Sequence, residues 1–111
     1  MPGARAVLAR LRADDAPTRD EQRTVVKASL AALVARAPGR SVEVRIPPFA
    51  AVQVIEGSTH RRGTPPAVVE TDPATWLALA LGEVDWASAV STGKVRASGE
   101  RSDLSGLLPL I

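Results

Sequence analysis

The stretch Thr71–Gly99, TDPATWLALALGEVDWASAVSTGKVRASG, holds two helix stops and the start of a strand. An apolar, capped helix ends at Gly82, a residue type common just after a helix C-terminus. A second, shorter helix is predicted over Asp85–Gly93. Alternating polarity over Lys94–Ser98 then predicts a strand with one buried face. The order helix, helix, strand fixes the topology of this part of the chain.

The residues before this stretch predict two helices and three strands. A short helix is expected over 4–13, and Thr18 with Glu21 forms a capping-box pattern that begins a helix reaching about Arg36. Val42, Val44 and Ile46 alternate with charged residues, as in a strand with one wet face. Residues 49–55 read as a second, central strand and 67–70 as a third. We therefore expect strands on both sides of a polar loop.

These elements predict an α/β (α+β) fold with a mostly antiparallel five-stranded sheet and helices packed on one face. The fifth strand is not placed by its pattern, and it stays open whether Arg61–Val69 supplies two strands. With 111 residues the chain has the size of one domain. We expect a single domain over 1–111, in which 1–16 form an N-terminal helical extension.

Composition excludes several classes of function. The chain is 45% hydrophobic and 23% charged, and its net charge is only +2 without a basic tract, so no nucleic-acid partner is expected. It has no Cys, which excludes disulfides. Arg5, Arg10 and Arg12 interrupt the apolar stretch that a secretory signal would need, so no such signal is expected. No apolar run is long enough to span a bilayer. The expected location is cytoplasmic, with no transmembrane segment.

The sequence offers little catalytic chemistry, and we expect no enzyme, metal or cofactor. His60 is the single histidine, too few for a metal site. The basic run His60–Arg62 reads either as a solvated loop tip or as a site of attraction for phosphate or an anionic surface. Asp72 and Asp85 are placed to cap helices, with acid–base chemistry as the less favoured alternative. Thr92-Gly93-Lys94 precedes a strand, whereas a phosphate-binding loop precedes a helix.

Large apolar residues crowd the last third of the chain. The sequence closes on Leu107-Leu108-Pro109-Leu110-Ile111, where polar residues are more usual. Three explanations stay open for this segment: it docks into a groove, meets another subunit, or covers a ligand.

The segment from Pro66 to Gly99 resembles the C-terminal half of a sterol-carrier-protein domain. The family places a Gly-acidic-hydrophobic-Asp turn between two helices, matched here by residues 82–85, GEVD. Its short helix ends in Ser-Gly-Lys, matched by Thr92-Gly93-Lys94, and its last strand ends in Gly-Asp, matched by Gly99-Glu100. The Arg- and Ala-rich composition is similar to that of a bacterial member. The N-terminal half agrees with the family in element order.

This resemblance implies a function and a set of lining residues. Family members hold sterols, fatty acids or acyl-CoAs, without catalysis, in an apolar tunnel between sheet and helices. The expected partner is thus a small hydrophobic ligand. The alternative is an interaction module or homodimer that uses the apolar C-terminal surface while side chains fill the tunnel. The positions expected to bind lipid, with the last three in a lid-like segment, are Trp76, Leu77, Ala80, Leu81, Trp86, Ala89, Val90, Leu107, Leu108 and Leu110.

Overall fold

The computed structural model describes residues 3–57, 67–99 and 101–110 of the chain. Four α-helices, four strands and one 3-10 turn follow one another in these ranges. Helix and strand starts lie within one or two residues of the predicted ones. The elements in chain order are α1 (Ala4–Arg12), α2 (Arg19–Arg36), β1 (Val42–Ile46), β2 (Ala50–Val54), β3 (Ala67–Thr71), α3 (Pro73–Ala80), α4 (Trp86–Ser91), β4 (Val95–Ser98) and the 3-10 turn Ser105–Leu107.

The three predicted helix caps are present. The Thr18 hydroxyl accepts a hydrogen bond from the Glu21 N–H at 3.1 Å, and the Glu21 carboxylate accepts one from the Thr18 N–H at 2.9 Å. This reciprocal capping box satisfies two N–H groups that the helix itself leaves free. Asp72 and Asp85 accept hydrogen bonds from the N–H groups of Thr75 and Ser88, so both carboxylates hold helix N-termini.

The sheet has the strand order β2-β1-β3-β4. β1 is antiparallel to β2 and parallel to β3, and β3 is antiparallel to β4, which confirms a mostly antiparallel α/β sheet. Val44 lies opposite Val52 on one side and Val69 on the other. Because side chains alternate between the two faces of a strand, this register places the apolar residues of neighbouring strands on one face.

Two predictions about the sheet are corrected. The described residues form four strands and not five, because the region expected to supply the extra strand yields only β3, while residues 58–66 lie outside the described ranges. β2 lies at an edge of the described sheet and not in its centre. Its apolar run was misleading because Ala51 is exposed and Ile55 leaves the strand with a φ of +67°.

The helices cover the apolar face of the sheet, and one continuous core joins α1, α2, α3 and Ala89 of α4 to all four strands. α3 is buried on every side, from Thr75 to Ala80, whereas its sequence predicts a single apolar face. The reason is that α1 packs against it as well as α2. Ala4, Val7 and Leu8 are the α1 residues that enter the core.

Candidate functional site

Trp76 lies in the solid part of the molecule. Its side chain is 1% exposed, and its indole N–H donates a hydrogen bond to the Ser29 hydroxyl oxygen at 2.8 Å. Ser29 in turn donates to the Val26 carbonyl at 2.9 Å. Buried polar groups need such partners, and here each donor has one. Leu77 and Ala80 are fully buried beside Trp76 in the same core.

Trp86 lies at a cavity of about 320 Å³ that is partly open to solvent. We call it the Trp86 cavity. Its volume is at the lower end of the range typical of small-molecule sites. Of the residues predicted to bind lipid, two line it. The lining consists of Leu79, Gly82, Val84, Asp85, Trp86, Ala87, Ser105, Leu108 and Pro109.

Residues 107–110, which we call the strap, form one wall of this cavity. The Arg36 guanidinium donates hydrogen bonds to the carbonyls of Leu107 at 2.8 Å, Pro109 at 2.7 Å and Leu110 at 3.3 Å. The Leu110 N–H donates to the Ala80 carbonyl at 2.9 Å. The planar, multi-donor guanidinium suits a cluster of carbonyls, so Arg36 ties the strap to the end of α2.

Gly82 brings the α3–α4 turn close to the strap. Its φ is +77°, a left-handed conformation that favours glycine at a helix end. A Cβ atom at this position would lie only 3.2 Å from the Pro109 Cβ. The glycine predicted as a helix stop therefore also permits a close approach that shapes the cavity.

The remaining predicted site residues are dispersed. Leu81 and Ala89 are buried in the core, and Val90 is 39% exposed on the outer side of α4. Leu107 and Leu110 are half-buried in the strap. The structure thus brings Trp86 and Leu108 together at one cavity and leaves Trp76, Leu77 and Ala80 in the packed interior.

A second cavity of about 320 Å³ lies between α1, α3 and α4 and shares Val84 with the first. We call it the Lys94 cavity. Its floor is apolar, while two cationic and three hydroxyl side chains stand among its lining residues. The full lining is Arg12, Ala74, Thr75, Ala78, Val84, Ser88, Ala89, Thr92 and Lys94.

Hydrogen bonding lowers the pKa of two surface carboxyls outside these cavities. The Thr18 N–H and the Arg10 side chain stabilise the charged form of Glu21 and hold its pKa below the ordinary value. Hydrogen bonds from Ser105 lower the pKa of Asp103. Both carboxylates make hydrogen bonds that stabilise the backbone close to them in sequence.

Within the described ranges, no group of three or more His, Cys, Asp or Glu residues is arranged to hold a metal ion. His60 lies outside those ranges.

Sequence reasoning missed several residues of the site. Val84 had a usable signal, because it is the apolar member of an otherwise polar turn. Arg36 had none, since its contacts with the strap span more than seventy positions of the chain. Leu79 was missed because burial of α3 on all sides was not expected.

Fold and cavity together define a small α/β domain with an apolar, partly open space between its last two helices and its strap. Residues 18–110 match the protein family described as bacterial SCP ortholog, where SCP denotes sterol carrier protein. The match covers most of the chain, and the chain belongs to this family. α1 precedes the matched residues. No curated protein matches the chain well enough to identify a relative. Of the described helices, none is both long enough and apolar enough to cross a membrane.

Proposed function

We propose that this chain binds a small hydrophobic ligand, without catalysis, in the Trp86 cavity. A sterol, a fatty acid or an acyl-CoA is the class of ligand that the family suggests. The observation that carries the proposal is the cavity itself, bounded by Leu79, Val84, Trp86 and Leu108 in a chain of this family. We propose carriage of such a ligand as its role.

The energetics of an apolar chain favour this proposal. Burying about ten methylenes contributes roughly 8 kcal/mol before costs, at about 0.8 kcal/mol for each methylene. Association costs begin near about 4 kcal/mol, so a net affinity remains. The side chains of Trp86 and Leu108 are half-buried already, and a ligand would complete their burial.

The alternative of an interaction module has less support. It needs an exposed apolar surface near the C-terminal part of the chain. In the described ranges, Val90 is the single large apolar side chain that is well exposed. Leu107, Leu108 and Leu110 are partly covered by the chain itself. A homodimer therefore stays a prediction, as does the cytoplasmic location; a molar mass that rises with concentration in light scattering would favour the dimer.

The proposed domain organisation is one unit over residues 1–111 with a helical extension over 1–16. It is supported by the burial of Ala4, Val7 and Leu8 in the same core as α2 and α3. The extension thus contributes to packing as well as preceding the matched residues.

The test measures binding of fatty acids to the full chain. Thermal shift and native mass spectrometry are the two readouts. We expect a rise in melting temperature that grows with ligand concentration, because a ligand that binds only the folded state stabilises it. Ala87→Phe, at an exposed position of α4 that lines the cavity, should reduce the affinity by about tenfold or more through occupation of the space.

The matched control is Ala28→Phe, the same change at an exposed position of α2 that lies outside the cavity lining. It should leave the affinity unchanged. Absence of any thermal shift and of any bound fatty acid with the unmodified chain would refute the proposal. An unchanged affinity of Ala87→Phe, or equal losses in both variants, would contradict binding in the Trp86 cavity.

A further inference from the structure

The lining of the Lys94 cavity is polarised by charge. Two of its residues, Arg12 and Lys94, are cations, and no carboxylate is among the lining residues. The rest of the floor is built from Ala74, Ala78, Val84 and Ala89. A cavity with an apolar floor and a cationic rim is complementary to a molecule that has an apolar chain and an acidic end.

Three carboxylates near this cavity already have partners. Asp72 and Asp85 accept the N–H groups of Thr75 and Ser88 as helix caps. Glu83 is shared by two arginines: Arg12 contacts one of its oxygens, and Arg5 lies 3.5 Å from the other. One carboxylate therefore faces two guanidinium groups. Lys94 is exposed and makes no ion pair within the described residues. The positive charge is confined to the lining itself, where Arg12 and Lys94 stand without a carboxylate.

Two of the three hydroxyl groups in the lining are not free donors. Ser88 donates to the Asp85 carboxylate at 3.2 Å, and Thr92 donates to the Ser88 carbonyl at 2.8 Å. The donors left for a ligand are thus mainly those of Arg12 and Lys94. Guanidinium and ammonium groups bind carboxylates and phosphates through charge-assisted hydrogen bonds.

Val84 lines both the Lys94 cavity and the Trp86 cavity, so the two spaces adjoin at the α3–α4 turn. A single ligand that spans both spaces would lie along the α3–α4 turn. Its chain would lie against Trp86 and Leu108, and its end would reach past Val84 to the cationic rim.

We propose that the Lys94 cavity receives the acidic head group of the ligand, a carboxylate or a phosphate, and that Arg12 and Lys94 recognise it. This rests on the proposed function and narrows it to acidic amphiphiles, in preference to neutral lipids such as sterols. Arg12 belongs to α1, which lies outside the residues matched to the family. The preference is therefore partly a property of this chain's own N-terminal helix.

Lys94 also borders a polar groove that contains Glu70, Asp72 and Arg96. Lys94 therefore borders two acidic residues in that groove as well as the Lys94 cavity. For this reason the test examines Arg12 and Lys94 separately.

The experiment compares three ligands with the same chain: dodecanoate, dodecyl phosphate and dodecanol. Their affinities for the full protein are measured by calorimetry at low salt. We expect at least one acid to bind about tenfold more tightly than the alcohol, because each charge-assisted hydrogen bond favours the ionised head group. The tighter acid identifies the head group. The preference should shrink as salt is added, since the rim is exposed.

The variants Arg12→Met and Lys94→Met should each reduce the acid-to-alcohol ratio by about threefold, and the double variant should remove the preference. Arg5→Met is the matched control for Arg12, because it also loses a contact with Glu83 but lies outside the cavity lining. Lys27→Met is the control for Lys94. Both controls should keep the wild-type ratio.

Each outcome separates the two proposals. Equal affinity of the wild type for all three ligands would overturn head-group recognition while leaving ligand binding in the Trp86 cavity intact. A preference that survives in the double variant would place the recognition elsewhere and overturn this proposal too. Binding of none of the three would overturn the proposed function, and the head-group site with it.

Discussion

Trp76 and Trp86 are ten positions apart and lie in opposite environments. Trp76 is 1% exposed, hydrogen-bonded to Ser29 and enclosed by core residues of α2 and α3. Trp86 is half-buried and lines a cavity. The difference teaches that the apolar residues of the last third serve two purposes. Trp76 and Leu77 of α3 stabilise the packed core, while Trp86 at the start of α4 and Leu108 in the strap border an open space.

The helices themselves explain the contrast. α3 is buried all round because α1 packs against it together with α2. α4 buries only Ala89. A helix with few buried residues gains little by closing against its neighbours, so a space beside it costs less than a hole in the centre of the core.

Truncation of the two indoles should give the largest difference. Trp76→Ala removes a large core side chain and should lower the free energy of unfolding by about 3–5 kcal/mol. Trp86→Ala removes a half-buried side chain from a cavity wall and should cost about 1 kcal/mol or less. Urea denaturation followed by circular dichroism measures both. Equal losses for the two variants would contradict the division into core and cavity wall.

Loss of the Trp76 hydrogen bond should cause the next largest decrease in the free energy of unfolding. Ser29→Ala leaves the buried indole N–H without its partner, and should reduce the free energy of unfolding by about 1–3 kcal/mol. In a Trp76→Phe background the same substitution should cost clearly less, because no N–H is left unpaired. A double-mutant cycle measures the coupling between the two residues. Additive effects would show that the bond contributes nothing.

Substitution of two glycines tests the contact between Gly82 and Pro109 in the cavity wall. Gly82 and Gly93 both have a φ of +77°, but only Gly82 has Pro109 within reach of an added Cβ. Gly93→Ala should cost about 1 kcal/mol through left-handed strain alone. Gly82→Ala should cost more, because the strap must also shift, and it should change ligand affinity. Identical losses of stability with unchanged binding would contradict the role given to the Pro109 contact.

The exposed hydrogen bonds of Glu21 should contribute least to the free energy of unfolding, in contrast to the buried Ser29–Trp76 pair. The folded pKa of Glu21 is lowered from its ordinary value of 4.5 by the Thr18 N–H and Arg10. Its contribution is therefore present above that value and is lost as the pH falls through the lowered, folded pKa. Glu21→Gln should reduce stability slightly at neutral pH and not at strongly acid pH. A pH-independent difference in urea midpoints would contradict this linkage.

Local chemistry made most of the fold predictable. The capping box at Thr18, the Asp72 and Asp85 caps and the alternation in β1 each depend on neighbours within a few positions, and each was predicted correctly. The family was also recognisable, because its GEVD turn is local.

The remaining features of the fold and the site depend on tertiary contacts, which the sequence pattern does not predict. The number of strands and the place of β2 depend on pairings between distant segments, which hydrophobic alternation does not encode. The cavity was predictable only through Trp86 and Leu108. Arg36 donates hydrogen bonds to backbone carbonyls of the strap. Because these acceptors belong to the backbone, the pattern of side chains does not indicate them.

Quenching of tryptophan fluorescence by a brominated fatty acid shows which of the two tryptophans lies beside the ligand. Trp76→Phe leaves Trp86 as the single indole, and Trp86→Phe leaves Trp76. We expect strong, saturable quenching of Trp86 and little quenching of Trp76, since bromine quenches at contact range and Trp76 is enclosed by the core. Saturable quenching of Trp76 with Trp86 unaffected would place the ligand inside the core and contradict the account.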